Sequence, residues 1–362
     1  MGGRTVRKIA FVRTRYLRPS ETFIYEELKN IKAFEPIVYT RKKMNVDRFP
    51  FRKIKYLPRS ANEIAKSFKK KKIKLIHARF GSTGVSLMNV KKRLGIPMLT
   101  SFHGFDLPSV KDNCSSYQKK LPMLFRVGDL FTVPSQHMKR KLIKWGCPPG
   151  KIRIMYSGID LNRFTYIERE PKTENITILA VGRLHKKKGF RYLVKAFKKV
   201  VEQHPTSQLV IVGEGDERET LKKLISDLKL SRHVRLLGLI PHTEMSELLN
   251  QADIFCLPSI TTNDGNQEGI PNAIKEAMAT GLPIVSTFHG GIPELVTDKW
   301  EGLLVPEKNV GLLAIKIKYL IQNPSVRMEM GKRGREKVEN SFDSSKQVRI
   351  LEELYSQLIK ER

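Results

Sequence analysis

The sequence predicts an α/β protein of two domains, each built on a parallel sheet. Three observations carry that expectation. Short apolar runs alternate with stretches of helical spacing, the pattern of βαβ units. The alternation breaks once, at the polar and charged segment 166–175, and then restarts. A chain of 362 residues is also long for one hydrophobic core. The expected division is 1–165, a linker over 166–175, a second domain over 176–342, and a last helix over 343–362 that packs back on the first domain.

In chain order, residues 7–12 (Arg-Lys-Ile-Ala-Phe-Val) read as a buried first strand that runs into the loop 13–21. Residues 22–31 have helical spacing, with Ser20 as cap and Phe23 packing inward. Apolar runs at 36–39, 74–77, 98–102 and 130–133 read as strands, separated by helical stretches at 62–72, 83–94 and 135–145. After the segment 166–175, strands are expected at 177–181, 208–212, 234–237, 254–257, 283–287 and 302–305, with helices at 192–202 and 217–228. Residues 272–279 read as helix, with Pro271 at the first helical position and Gly281-Leu-Pro as the stop. The last helix sets Val348, Leu351, Leu354, Tyr355 and Leu358 on one face. Both ordinary packing and an amphipathic membrane helix would use such a face.

Hydrophobic content of 40% and charged content of 28% suit a soluble globular protein. There is no run of about 18 apolar residues, so no bilayer span is expected. The N-terminal stretch is basic, but its apolar run is too short for a signal peptide. Cys114, Cys147 and Cys256 are widely spaced and form no Cys-x-x-Cys, so they read as reduced thiols of a cytoplasmic protein with no metal site implied.

The charge is less ordinary. The net value is +31, and residues 1–170, with 38 basic and 12 acidic side chains, account for +26 of it. A field of that size attracts anionic partners such as nucleic acid, an anionic membrane face or a phosphorylated acceptor, although a merely basic soluble surface would look the same. The lysine run 66–74 encloses Phe68 and Ile73 and reads either as a solvated helix end or as a contact with anionic lipid. No helix-turn-helix signature, zinc-finger spacing or aromatic RNA-binding strand motif is found, so nucleic acid is not expected as a partner.

The stretch 264–276 asks for a ligand. Two glycines loosen a loop that leads into a helix whose first amides lack intrahelical acceptors and lie at the positive end of the dipole, where a phosphate is favoured. Glu268 stands before that end and Glu276 inside it, separated by up to roughly 12 Å at about 1.5 Å per residue. That is too far for two carboxylates to share a proton and suits gripping the two ends of an extended ligand. The loop Gly182-Arg183-Leu-His-Lys-Lys-Lys188-Gly189 follows a strand and offers a guanidinium fork and a point charge to a diphosphate. Gly213-Glu-Gly215 is a weaker signal, because Asp216 and Glu217 would repel phosphate and its glycines can simply make a turn.

These residues carry a resemblance. Val-Gly-Arg183-Leu-x3-Lys188-Gly, Glu268-Gly-Ile-Pro-Asn-x3-Glu276-Ala-Met-Ala-x-Gly-Leu-Pro-Ile-Val and Gly290-Gly-Ile-Pro-Glu294-Leu-Val resemble the large group 1 (family four) glycosyltransferases, the Glu-x7-Glu family. Residues 151–164, Lys-Ile-Arg-Ile-Met-Tyr-Ser-Gly-Ile-Asp-Leu-Asn-Arg-Phe, are similar to the segment which that family places before its interdomain linker. Ser20-Glu-Thr-Phe-Ile, His77-Ala-Arg-Phe-Gly and Ser101-Phe-His103-Gly-Phe-Asp106 resemble its bacterial exopolysaccharide and lipopolysaccharide subset.

The resemblance implies a GT-B fold of two Rossmann-like domains facing across a cleft, and a retaining transfer from a nucleotide sugar to a lipid-linked or other anionic acceptor, such as a glycan, in cell-surface polysaccharide biosynthesis. By the same resemblance, Arg183, Lys188 and the helix amides after Gly269 neutralise the donor diphosphate, with Gly269, Ile270, Pro271 and Asn272 forming the donor-binding segment. Glu276 takes the ribose hydroxyls, Glu268 holds the donor sugar, and His103 faces the sugar being transferred. No metal and no cofactor are implied beyond the nucleoside-diphosphate sugar itself, and the expected location is cytoplasmic, peripheral on the inner face of the plasma membrane. The first loop departs from the family's Gly-Gly, so Arg15, Arg18 and Glu21 stand only as acceptor-side candidates. Sugar epimerisation or phosphorolysis on the same fold is the alternative reaction.

Overall fold

The computed structural model describes residues 6–18, 21–103, 106, 116–241 and 243–361. Ser20, expected as a helix cap, and Cys114 lie outside these residues. The chain forms two compact units, 1–158 with 344–362, and 159–343.

The first unit runs β1 (Arg7–Val12), α1 (Thr22–Asn30), β2 (Phe34–Thr40), β3 (Ile54–Tyr56), α2 (Ala61–Lys70), β4 (Ile73–Arg79), α3 (Gly81–Leu94), β5 (Met98–Ser101), α4 (Leu121–Val127), β6 (Leu130–Val133), α5 (Gln136–Lys144) and β7 (Ile152–Ile154). Its seven strands are parallel in the order β3-β2-β1-β4-β5-β6-β7. Alternation decides which side chains go where. Ala10, Val12, Ile76 and Ala78 turn to the face covered by α2 to α5, in a core with Phe68, Leu87, Leu124 and Leu142. Ile9, Leu75, Leu99 and Leu130 turn to the opposite face. The helix α13 (Ser344–Lys360) covers that face, burying Val348, Leu351, Leu354, Tyr355 and Leu358 there, so its apolar stripe is a packing face.

The second unit repeats the plan with β8 (Thr177–Val181), α6 (Phe190–Val201), β9 (Gln208–Val212), α7 (Arg218–Asp227), β10 (Val234–Gly238), α8 (Met245–Gln251), β11 (Ile254–Leu257), α9 (Asn272–Ala279), β12 (Ile284–Thr287), α10 (Ile292–Leu295), β13 (Gly302–Val305), α11 (Val310–Gln322) and α12 (Pro324–Ser341). The strand order is β10-β9-β8-β11-β12-β13, again parallel. In each sheet the order reverses once, between β1 and β4 and between β8 and β11. Open α/β sheets bind ligands beyond the carboxyl ends of the strands at that reversal.

Four local expectations change. The segment 166–175 belongs to the second unit rather than linking two domains. Arg169 ties it down, donating from Nε to Ala252 O at 3.1 Å and from Nη2 to Leu249 O at 3.1 Å. At α1 the N-cap position falls to Glu21, and Ile24 and Leu28 take the core while Phe23 stays half-buried. Pro271 is the N-cap of α9, not its first helical residue, because its ψ of 125° is extended. In the lysine run Phe68 and Ile73 are buried, which leaves only the lysines at the surface. Cys147 and Cys256 are buried free thiols whose pKa values burial raises. No helix among the described residues is long and apolar enough to cross a membrane.

Candidate active site

In the second unit, the loops after β8 and β11 meet at the sheet's reversal. The first is a tight 3-10 turn, 186–188, closed by Gly189 with φ +71°. A Cβ on Gly189 would stand 1.9 Å from Pro258 O, so only glycine lets the two loops touch. Ile260 N then donates to Lys187 O at 2.8 Å. Gly213 and Gly215 serve the same loop from the other side. Cβ atoms there would lie 2.0 Å from Gly182 O and 2.3 Å from Leu184 O, and Leu184 N bonds Glu214 O at 2.9 Å. The Gly-x-Gly is a packing device.

This junction concentrates charge. Lys187 Nζ and Lys188 Nζ lie 3.0 and 3.3 Å from the same oxygen, Oε1 of Glu268. Burial pushes the Glu268 carboxyl up, but Lys188 and Lys187 overcome it and bring the pKa down to about 2. Behind Glu268 stands a brace that spacing did not reveal. Its backbone N donates to His289 Nε2 at 2.9 Å, and His289 Nδ1 meets Glu307 Oε1 at 2.6 Å. Glu307 also accepts from Thr261 N at 2.7 Å. Gly290 permits the contact, since a Cβ there would come within 2.3 Å of Glu268 O, and Gly291 N donates to Gly269 O at 2.9 Å.

Gly269, Ile270 and Pro271 then lead into α9, whose start has no side-chain cap, so the dipole end at Asn272 offers its amides to a ligand. Glu276 is buried on the same helix. Its neighbour Lys275 is 1% exposed, and burial, opposed by Glu276, lowers the ammonium to about 7. Arg183 is exposed at the loop's start. Leu237 in β10 and Leu239 just beyond it are exposed apolar side chains. A recess of about 490 Å³ opens beside the two loops, bordered by His185, Lys186, Arg191, Asp216, Thr261 and Asp264; Arg183, Lys188, Glu268 and Glu276 do not line it.

In the first unit, the reversal lies between Val12–Arg13 and Arg79–Phe80. Phe80 takes φ +74°, a conformation that costs a non-glycine residue about 1–3 kcal/mol and recurs at functional sites. The strain aims the Phe80 ring at His103, 4.8 Å between centroids, with the Arg13 guanidinium 3.9 Å above Phe80. Asp106 holds the turn after β5, accepting from His103 N at 2.7 Å and Gly81 N at 3.0 Å. Burial raises Asp106 to about 7 against those two bonds. Of the acceptor-side candidates, Arg15 and Arg18 are exposed. Glu21 is not available: it is buried and accepts from Arg13 Nη2 at 2.8 Å and Arg18 N at 3.2 Å.

Two doubly wound parallel sheets with charged loops at their reversals define a GT-B type α/β protein. Residues 162–337 match the glycosyl transferases group 1 family, and residues 21–163 match Glycosyltransferase Family 4. The chain belongs to this glycosyltransferase family. It is 35% identical over 284 residues to the amylovoran biosynthesis glycosyltransferase AmsK of Erwinia amylovora, a match spanning 78% of this chain and 70% of AmsK. It is 37% identical over 270 residues to WcaL of Escherichia coli, a match spanning 74% of this chain and 66% of WcaL. In fold it resembles the crystal structure of Anabaena HepE in complex with UDP, with a TM-score of 0.83 and 18% identity over 97% of this chain and all of that one.

Proposed function

We propose that the chain is a retaining hexosyltransferase that moves a sugar from a nucleoside-diphosphate donor to a lipid-linked or other glycan acceptor in cell-surface polysaccharide synthesis, without a metal ion. The observation that carries this reading is the pair Lys187 and Lys188 closed on the half-buried Glu268 beside the uncapped start of α9. A diphosphate at that helix start would find amides and ammonium groups already in place. Such preorganised charge stabilises a leaving nucleoside diphosphate with little reorganisation. Arg183 would add a fork from the exposed end of the same loop, Glu276 would accept the ribose hydroxyls, and Glu268 would hold the donor sugar.

In the first unit, His103 would face the transferred sugar, and Arg15 and Arg18 would meet an anionic acceptor. The acceptor's proton would pass to a donor phosphate oxygen in a front-face attack, since no carboxylate of the chain is assigned as nucleophile. The exposed Lys66, Lys69, Lys70, Lys72 and Lys74 would hold the enzyme to the anionic inner face of the plasma membrane by charge alone. HepE, a relative in fold, is seen with UDP, and AmsK carries amylovoran biosynthesis in its name.

A thermal-shift panel of nucleoside diphosphates and their sugars tests the donor site. Binding at one hundred times Kd adds about 2.7 kcal/mol of stability. We expect one base to raise Tm clearly and Lys188→Ala and Glu276→Ala each to abolish both the shift and transfer in folded protein. No shift with any nucleotide, or transfer surviving both substitutions, would remove the assignment.

A further inference from the structure

His103 stands against a buried cation that neither the donor diphosphate nor the acceptor calls for. Arg79 ends β4 and is 1% exposed. Its Nη1 donates to Glu27 of α1, and its Nη2 lies 3.1 Å from His103 Nε2. A guanidinium has only N–H donors. The ring nitrogen facing it at that distance must therefore offer its lone pair, which leaves the proton of the neutral ring on Nδ1.

The surroundings agree. Burial first, then Arg79 and Arg13, push the His103 pKa well below the usual histidine range. From α1 and the β4 end, the rings of Phe23 and Phe80 pack on it at 5.3 and 4.8 Å and bring no charge. Both Asp106 oxygens are taken by backbone amides. His77, 3.5 Å from the other side of Arg79, is occupied by Tyr355 at 2.6 Å and Ser101 at 2.7 Å. Among the described residues, no polar side chain contacts Nδ1 to compete for its proton.

We propose that Arg79, anchored by Glu27, is a positioning residue that locks His103 as the neutral Nδ1–H tautomer. The ring then acts on the transferred sugar as a hydrogen-bond donor and takes no proton through Nε2. This rests on the reading of His103 as the sugar-facing group, and its first test needs no sugar.

In full-length protein labelled with ¹⁵N-histidine, with the His103 signals assigned by their loss in His103→Gln, we expect a protonated Nδ1 and a bare Nε2. Both should stay unchanged from about pH 8 to about pH 6. Arg79→Met should release Nε2, mix the tautomers and raise the ring's pKa. It should lower kcat roughly tenfold or more, the scale of one lost bond to a charged group, with donor KM changed less than about threefold. Arg79→Lys should recover part of both. A wild-type ring protonated on Nε2, or an Arg79→Met ring with unaltered tautomer, overturns the lock. If Arg79→Met does not fold, the wild-type tautomer and Arg79→Lys decide. A wrong tautomer in an active transferase sinks only the lock, whereas the expected tautomer in a protein that binds no nucleotide sugar sinks only the transferase reading.

Discussion

Glu268 shows what a single residue can reveal about pH. Its folded pKa of about 2 lies below the ordinary carboxylate value of 4.5. The group therefore adds stability that is full above about pH 4.5 and is lost as the pH falls toward 2. We expect denaturant midpoints measured at stepped pH to drop through that window, by of order 1–3 kcal/mol from this group. Lys187→Met with Lys188→Met should flatten the drop, because burial alone then sets the carboxyl. Lys188→Ala by itself should abolish transfer, a loss of at least about a hundredfold, because its ammonium stabilises charge on the leaving group. The sequence showed Lys188 through its place in a motif. It could not separate Lys187 from its neighbours, since three adjacent lysines look alike until a 3-10 turn buries the middle one.

At the scale of elements, the brace formed by Glu307, His289 and the Glu268 amide links the loops after β11, β12 and β13. His289→Ala would leave the Glu268 N–H without its acceptor, for about 1–3 kcal/mol in stability. We expect nucleotide affinity to fall with it while Glu276 stays in place, measured by calorimetry against wild type. No spacing rule points to His289, because a histidine declares itself only through partners that lie 18 and 21 residues away. The long strands and the α9 motif were legible, since apolar runs and glycine punctuation mark them. The three-residue β3 was too short to stand out. The helix α12 escaped for another reason: it packs on α9 through Gly331 and Gly334 rather than through a stripe of large apolar side chains. A Cβ on Gly331 would come within 2.0 Å of Gly281 O.

For the whole molecule, charge and topology make separate predictions. Binding to vesicles containing anionic lipid should weaken as salt rises, and Lys69→Glu with Lys70→Glu should remove about 1 kcal/mol or more per site in cosedimentation. With Phe68 buried, insertion of an aromatic at that helix should make no contribution, and Phe68→Ala should act on stability alone. The first sheet also depends on α13. Removing residues 344–362 uncovers Ile9, Leu75, Leu99 and Leu130, and the lost burial of Leu351, Leu354 and Leu358 alone is worth about 1.5–3 kcal/mol each. We expect residues 159–343 to fold when expressed alone and residues 1–158 to fail, as judged by circular dichroism and cooperative melting.

That dependence reverses the order in which the two units mature. On a ribosome the N-terminal strands emerge first, yet one side of their sheet stays bare until the whole second unit has been made and α13 follows it out. The unit begun last can therefore be finished first. Through that interval a greasy surface is open to holdase chaperones, and a slow codon or stalled synthesis before residue 344 would prolong its exposure.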